Sequence, residues 1–255
     1  MATFYFMKSD EIATYPLANG TLASVSSSGV DTDYSVQSLC YGWPGTPVRW
    51  TSGAASGTIT LPAAATISMV VVSHHKLDAA KAVTFSSGIT AVVTTPATTP
   101  PDGIPLNPFT TITPAAGVTA FNFAITGNST DVIIGEIIAG AYRSLTLPLA
   151  KDDQRGLEDF SRQWNVAQSA VAPYRSGLAS RAPWRGRYML TSAERDLVDA
   201  WFLSQCEGTR PSVVVPDPSV NEAIVGFLQK PSYSVAGPRH WNVELTFVEF
   251  PRSRW

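Results

Sequence analysis

The chain has 255 residues, a formal net charge of −2 and only 15% charged residues, well below the roughly 25% of ordinary globular domains. Its 44% hydrophobic residues and seven Trp are enough to build packed cores, which excludes a disordered or fibrous chain. The near-neutral balance also argues against a dedicated nucleic-acid or membrane-surface binder. Two distant cysteines, Cys40 and Cys206, do not make a disulfide framework. The first ten residues lack the basic start and apolar run of a signal peptide.

The first half of the chain is a series of short segments rich in β-branched and aromatic residues. Gly, Pro and Asn clusters separate them, and no helical periodicity appears before residue 146, so we expect an antiparallel β-sandwich. The predicted strands are Thr58–Leu61, Ile67–Ser73, Ala82–Phe85, Thr90–Thr94, Ala120–Thr126 and Val132–Ile138. The stretch Thr94–Pro114 holds six prolines, which cannot donate hydrogen bonds to a central strand. It is predicted to be a long exposed loop.

The second half has a mixed pattern with one well-marked helix. Alternating residues predict a strand over Trp184–Leu190, and the capping box Thr191-x-x-Glu194 then begins a helix. Apolar side chains at helical spacing form one face of that helix, and Gly208 ends it. The face consists of Leu197, Val198, Trp201 and Phe202. The remaining predicted strands are an edge strand at Ser169–Tyr174 and strands at Ser212–Val215, Ala223–Leu228 and Trp241–Phe250.

Composition changes sharply near residue 146. Before that point lie 22 of the 25 threonines, whereas 11 of the 13 basic residues after it are Arg. Such a shift indicates two domains with different surroundings, residues 1–146 and 147–255, with a join in the polar stretch Thr146–Arg155.

No motif in the sequence identifies a catalytic or metal site. The adjacent His74 and His75 would point to opposite faces of a strand, and lone Cys and His residues such as Cys40 and His240 are usually structural. A hydrolase with a hidden site would need His, acid and nucleophile side chains to converge in the fold. We therefore expect no enzyme activity, no metal and no cofactor.

Two groups of side chains are candidates for contacts with partners. The Arg-rich segment contains no acid, and Arg suits interfaces because its planar fork makes bidentate bonds; the alternative is a solvated strand face. Its members are Arg162, Arg175, Arg181, Arg185 and Arg187. Tyr41, Trp43 and Trp50 surround Pro- and Gly-rich turns, where they would form either a sugar platform or packing beneath the sandwich.

Two stretches of the sequence are similar to bacteriophage proteins. The run from Arg187 to Phe250 (RYMLTSAERDLVDAWFLSQCEG, RPSVVVPDPS and NVELTFVEF) resembles the tail-tube-like domain of distal tail and minor tail proteins. PVRWTSGAASGTITL, VVVSHHKLDAAKAVTF and IIGEIIAGAY in the first half resemble galactose-binding-like sandwiches of tail proteins. In distal tail proteins the tube-like domain usually comes first, whereas here the order is reversed.

This resemblance implies a structural role in a virion. The expected fold is mainly β: a galactose-binding-like sandwich followed by a tail-tube-like β-barrel or sandwich with one packed helix. The expected function is a tail-tip or baseplate component, made in the bacterial cytoplasm, that forms a homo-oligomeric ring, commonly a hexamer. Its partners would be the tail tube protein, tail hub and tip proteins and the tape measure protein, with no nucleic-acid sequence recognition and no membrane. The alternative is a carbohydrate- or receptor-binding tail module that contacts a glycan through loops at one end of the sandwich.

Overall fold

The described residues fold into two curled antiparallel sheets of seven strands, a small third sheet and one α-helix. The computed structural model describes residues 2–42, 46–98, 105–147, 157–158, 178–181, 184–206, 210–250 and 252–253. The predicted mainly β fold with one packed helix is confirmed. The predicted strand Ser169–Tyr174 lies outside the described residues.

The first seven-stranded sheet builds the sandwich. Its strand order is β3-β8-β4-β7-β5-β6, and β2 pairs with β4. The 22-residue β4 bends through register shifts between Thr60 and Met69, which lets one sheet close over its own core. The strands are β2 (Ser24–Ser27), β3 (Val48–Trp50), β4 (Ala55–Lys76), β5 (Ala82–Ser86), β6 (Ala91–Thr94), β7 (Phe109–Ile125) and β8 (Val132–Gly140).

The second seven-stranded sheet has the order β12-β16-β14-β13-β1-β9, and β15 pairs with β16. The sheet is curled, and its curl brings the Phe4 ring on β1 within 5.7 Å of the Trp184 ring on β12, four strands away. The strands are β1 (Ala2–Met7), β9 (Arg143–Leu147), β12 (Trp184–Thr191), β13 (Ser212–Val215), β14 (Ile224–Leu228), β15 (Ser232–Gly237) and β16 (His240–Glu249). The small third sheet joins β10 (Leu157–Glu158), β11 (Leu178–Arg181) and β17 (Arg252–Ser253).

Helix α1 (Ser192–Cys206) begins at the predicted capping box. The Glu194 amide donates to the Thr191 hydroxyl over 3.3 Å, and the Thr191 amide donates to the Glu194 carboxylate over 2.7 Å. The buried face of α1 includes Val198 and Trp201, and the Trp201 indole donates to the Ser212 hydroxyl over 2.8 Å. This bond satisfies the polar edge of a ring that is otherwise inside a core.

The central part of β4 is continuously apolar because it lies between two hydrophobic cores. Val70 and Val72 point into the core inside the sandwich, whereas Met69 and Val71 on the same strand point to the other face. A strand that is buried on both faces has no polar side to present, so its sequence does not alternate. We call the core between the two sheets the shared core: Met7, Ile12, Tyr15, Met69, Val71, Ile138, Val213, Val215, Ala223 and Val225.

The predicted loop at Thr94–Pro114 is wrong in its second part, because β7 already starts at Phe109. Pro114 is tolerated there because it is exposed and lies where the ladder with β4 is irregular. Asn107, just before β7, is buried against the second sheet: its carbonyl accepts from the Ala223 amide over 2.8 Å. This end of the Pro-rich stretch therefore joins the two sheets instead of facing solvent.

The first strand belongs to the second sheet. Residues Tyr5–Met7 of β1 pair with Val213–Val215, and β9 flanks β1 on its other side. The division into residues 1–146 and 147–255 stays a prediction, but it counts β1 with the sandwich, whereas β1 pairs within the sheet built mainly by the second half.

Candidate functional site

One end of the sandwich carries three loops that a single buried residue holds together through its backbone and its side chain. Asn128, only 7% exposed, accepts the Asp78 amide on its side-chain oxygen over 2.8 Å. Its own amide donates to the Gly53 carbonyl over 2.8 Å, and its side-chain nitrogen donates to the carbonyls of Thr130 and Asp131. Turns 51–54, 77–81 and 126–131 are thereby fixed relative to one another.

Gly53 is required where two of these turns meet. A Cβ at this position would lie 2.1 Å from the Asn128 carbonyl oxygen, so no larger residue fits without moving the backbone. The close approach explains the glycine in the Thr-Ser-Gly turn that links β3 to β4.

Asp78 presents its carboxylate at the surface of this end. The carboxylate accepts the hydroxyl of Ser129 over 2.7 Å and also accepts the Ser129 amide. These hydrogen bonds hold the pKa of Asp78 below its usual value, so the group is ionised at neutral pH. Ser129 is exposed and Asp78 is partly exposed, which leaves carboxylate lone pairs open to solvent.

A guanidinium lies on the same end. Arg49 donates from Nε to Asp131 over 2.9 Å and from Nη2 to the same oxygen, while Asp31 lies 3.7 Å from Nη1. Asp131 is the main cause of the raised pKa of Arg49, and Tyr34 adds to it. We call Arg49, Asp78, Asn128, Ser129 and Asp131 the loop cluster.

The sequence analysis did not assign the loop cluster to a site. It predicted Tyr41, Trp43 and Trp50 as a glycan platform. Trp50 is 1% exposed, donates to the Ser27 hydroxyl over 3.0 Å and packs edge-on against Phe123, so it presents no open face to a sugar. Tyr41 is partly exposed, and Trp43 lies outside the described residues. For these two residues the platform stays a prediction.

The predicted Arg interface falls only partly on described residues. Arg185 and Arg187 are exposed on β12, which is the last strand in the order of the second sheet, and Arg187 lies 3.5 Å from Glu244 on β16. Arg162 and Arg175 lie outside the described residues, and the backbone of Arg181 is in β11 while its side chain is not described. The interface stays a prediction.

The adjacent histidines are both buried and serve the packing of β4. His75 accepts the Leu77 amide on Nδ1 over 3.2 Å, so its Nε2 carries the proton and donates to the Leu106 carbonyl over 2.8 Å. His74 packs against Phe250, with Nδ1 2.5 Å from the Ser73 hydroxyl, and both residues are almost fully buried. Cys40 is a buried free thiol, and within the described ranges no three His, Cys, Asp or Glu side chains gather as a metal site.

A second polar pair lies between the sandwich and the shared core. Glu136 on β8 is fully buried, and one of its oxygens accepts the Gly42 amide over 2.6 Å. Burial raises the pKa of Glu136 well above its usual value, because the charged form is poorly solvated there. Tyr15 lies beside it, and the pKa of this phenol is also raised, first by burial and then by Glu136.

No protein-family model matches the sequence, and no curated protein matches it significantly. Among solved structures, the chain is similar to the family 32 carbohydrate-binding module of C. perfringens NanJ in complex with galactose. The match has 13% identity and a TM-score of 0.37, and covers 48% of this chain and 93% of that one. A pectin-binding carbohydrate-binding module matches with 16% identity, a TM-score of 0.35 and coverages of 46% and 89%. A lectin domain of lectinolysin complexed with Lewis b matches with 11% identity, a TM-score of 0.34 and coverages of 48% and 92%.

None of these three structures is a tail protein, so the resemblance to tail-tip proteins stays a prediction. In the described part of the chain, the helix is too short and too polar to cross a membrane.

Proposed function

We propose that the chain is a carbohydrate-binding protein without catalytic activity and that the loop cluster contacts the glycan. The observation that carries this proposal is the pair of charged groups, Asp78 and Arg49, held on three loops that Asn128 locks together. It favours the alternative drawn from the sequence, in which loops at one end of the sandwich bind a sugar.

The chemistry of the loop cluster fits hydroxyl recognition. A carboxylate accepts hydrogen bonds from sugar hydroxyls, and a guanidinium donates to their oxygens. Asp131 and Ser129 already fix these two groups, so little side-chain freedom is lost when a ligand binds. Tyr34, close to Arg49 and partly exposed, adds an aromatic ring to the same end.

The lack of a catalytic role is part of the proposal. Ser73 and His74 have the proximity of a nucleophile and a base, but Ser73 is 0% exposed and His74 is 4% exposed. A substrate would have to enter a packed core to reach this pair.

The test is a glycan array with the labelled full chain, followed by calorimetric titration with the oligosaccharide that binds best. Arg49→Gln and Asp78→Asn are expected to weaken binding by about tenfold each, because each removes a charged hydrogen bond. Asp217→Asn is the matched control. Asp217 accepts the amide and the hydroxyl of Ser219, as Asp78 does with Ser129, but it lies beyond β13. A chain that binds no glycan, or that binds equally well in all three variants, would contradict the proposal.

A specific observation favours assembly as a second function. Among the described strands, β15 pairs only with β16; it carries no charged side chain and exposes 71% of Val235. β6 is the last strand of the sandwich sheet and exposes 51% of Val92. Uncharged open edges are avoided in free monomers, so they favour pairing with another chain. We propose on this basis that the protein can also be a ring-forming, commonly hexameric, component of a tail tip.

The oligomeric state separates the two functions. The assembly proposal predicts a ring-sized particle in light scattering and electron micrographs, and Val235→Lys is expected to reduce it to monomers. Arg239→Lys, a neighbouring exposed change that keeps the charge, is the control. A monomeric wild-type protein that never joins tail particles would contradict assembly and leave the glycan proposal intact.

A further inference from the structure

A pocket of about 310 Å³ lies where the segment after β1 meets the end of helix α1. It is remote from the loop cluster: the wall residue Ile12 bridges to Gly140 at the end of β8, whereas Asp131 of the loop cluster precedes the start of the same strand. Its walls are Ser9, Asp10, Ile12, Tyr15, Pro16, Leu17, Ala18, Ser204 and Arg210. Binding pockets for small molecules start at about 300 Å³, so this one has room for a single ring rather than for a chain of sugars.

Arg210 supplies a positive charge to the pocket, and no carboxylate of the described residues pairs with it. One of its terminal nitrogens donates to the Pro16 carbonyl, and none of the ion pairs among the described residues includes Arg210. A guanidinium has five N–H donors, so most of them are left for a ligand. The acid in the wall, Asp10, is already 3.3 Å from Lys8 and more than half exposed.

Tyr15 closes the inner side of the pocket. Its side chain is 1% exposed, and its hydroxyl lies beside the buried Glu136, which together with burial raises the pKa of the phenol. Tyr15 therefore contributes part of the wall, and its hydroxyl is not available to a ligand.

The remaining walls suit a ring that has polar edges and an apolar face. The hydroxyls of Ser9 and Ser204 donate to backbone carbonyls over 2.9 Å and 2.8 Å, so toward the pocket they offer acceptor lone pairs. Ile12, Pro16 and Leu17 form the apolar part of the wall.

From this arrangement we infer that the pocket binds one acidic sugar ring, a hexuronate. Its carboxylate would lie against the Arg210 guanidinium, its hydroxyls would donate to the two serines, and its ring would lie against the apolar part of the wall. The site is separate from the loop cluster and does not depend on the proposed function.

The test is a calorimetric or NMR titration of the full chain with D-galacturonate, its methyl ester, D-galactose and acetate. We expect D-galacturonate to bind at least about tenfold more tightly than the ester and galactose, which lack the charge, and than acetate, which lacks the ring. Arg210→Gln is expected to weaken the binding of D-galacturonate by about tenfold.

A control separates the effect of Arg210 from the general loss of a positive charge. Arg239→Gln removes an exposed charge elsewhere and is not expected to alter D-galacturonate binding. Arg210→Lys keeps the charge without the planar fork and is expected to lie between wild type and Arg210→Gln, which keeps the test informative if the Gln variant unfolds. Equal binding of D-galacturonate and galactose, equal binding of acetate, or unchanged binding in both Arg210 variants would overturn the inference.

Discussion

Phe6 on the first strand pairs directly with Val214 on β13, although nearly the whole sequence separates them. The Phe6 ring also stacks on Trp201 of the helix, with ring centroids 4.6 Å apart. The opposite face of the same two strands, through Met7 and Val213, belongs to the shared core. The start of the chain is thus part of the core of the second sheet, and the sandwich cannot lose its contact with that sheet without opening the shared core.

We therefore expect the two sheets to unfold in one cooperative transition. Met69→Ala removes a fully buried side chain from the shared core and is expected to lower the free energy of unfolding by about 2–5 kcal/mol while leaving a single transition. Urea denaturation followed by both Trp fluorescence and circular dichroism measures this. Met189→Ala is the matched control, because Met189 is 45% exposed and its loss should cost less than about 0.5 kcal/mol. Two separated transitions would show that the sheets fold independently.

Local sequence patterns predicted the helix and the strands, but they did not predict which strands pair when the partners are far apart in the sequence. The capping box located helix α1, and alternation located β12 and β16. The placement of β1 depends on a partner more than 200 residues away, which no periodicity within a window reveals. The two-sided burial of Met69 to Val72 is visible in the sequence only as a continuous apolar run, which is equally typical of a buried helix segment.

The capping box makes a measurable contribution to stability. Thr191→Ala removes the hydroxyl that accepts the Glu194 amide, and is expected to lower the free energy of unfolding by about 1 kcal/mol. Chemical denaturation measures the change. Thr90→Ala is the control, since Thr90 is exposed in the turn between β5 and β6. Equal effects of the two substitutions would mean that the Thr191 bonds seen here do not contribute.

Glu136 is expected to make stability depend on pH. Its pKa in the folded protein is raised by burial above the value of about 4.3 in an unfolded chain, so the folded state binds the proton more tightly. Stability from this group is therefore fully present below the unfolded pKa and falls as pH rises toward the folded pKa.

Thermal unfolding of wild type and Glu136→Gln over a range of pH tests this. The amide has nearly the shape of the neutral carboxyl and still accepts from the Gly42 amide, but it does not ionise. The two proteins are expected to have similar melting temperatures near about pH 4, and the variant is expected to be the more stable near about pH 8. The other carboxylates titrate in both proteins, so their effects cancel when the melting temperatures of the two proteins are subtracted at each pH. Parallel curves would show that Glu136 ionises without cost in the folded state.

The sequence patterns predicted that aromatic side chains would bind the glycan, whereas the proposal from the structure rests on the polar loop cluster around Asn128. The residues around Trp50 have the composition of a sugar platform. Trp50 lies, however, at the end of the three-residue strand β3, where its ring is buried in the core. Asn128 stood in the sequence only as part of an Asn-Ser-Thr tripeptide. A single chain gives no signal that this Asn is buried, because that depends on the turns at Gly53 and Asp78 meeting it in space.

Asn128→Ala is expected to destabilise the loops and to abolish glycan binding together. The substitution leaves the Asp78 amide without its acceptor and removes two donated hydrogen bonds, which should cost about 1–3 kcal/mol. Because Asp78 and Ser129 would then lose their fixed separation from Arg49, affinity should fall even though neither charged group has changed. Asn19→Ala is the matched control: Asn19 also accepts an amide two residues along, from Thr21, but it is exposed and joins no other loop. Paired measurements of melting temperature and glycan affinity decide the matter, since a destabilised Asn128→Ala that still binds glycan at wild-type affinity would show that the locked loops are not the binding surface.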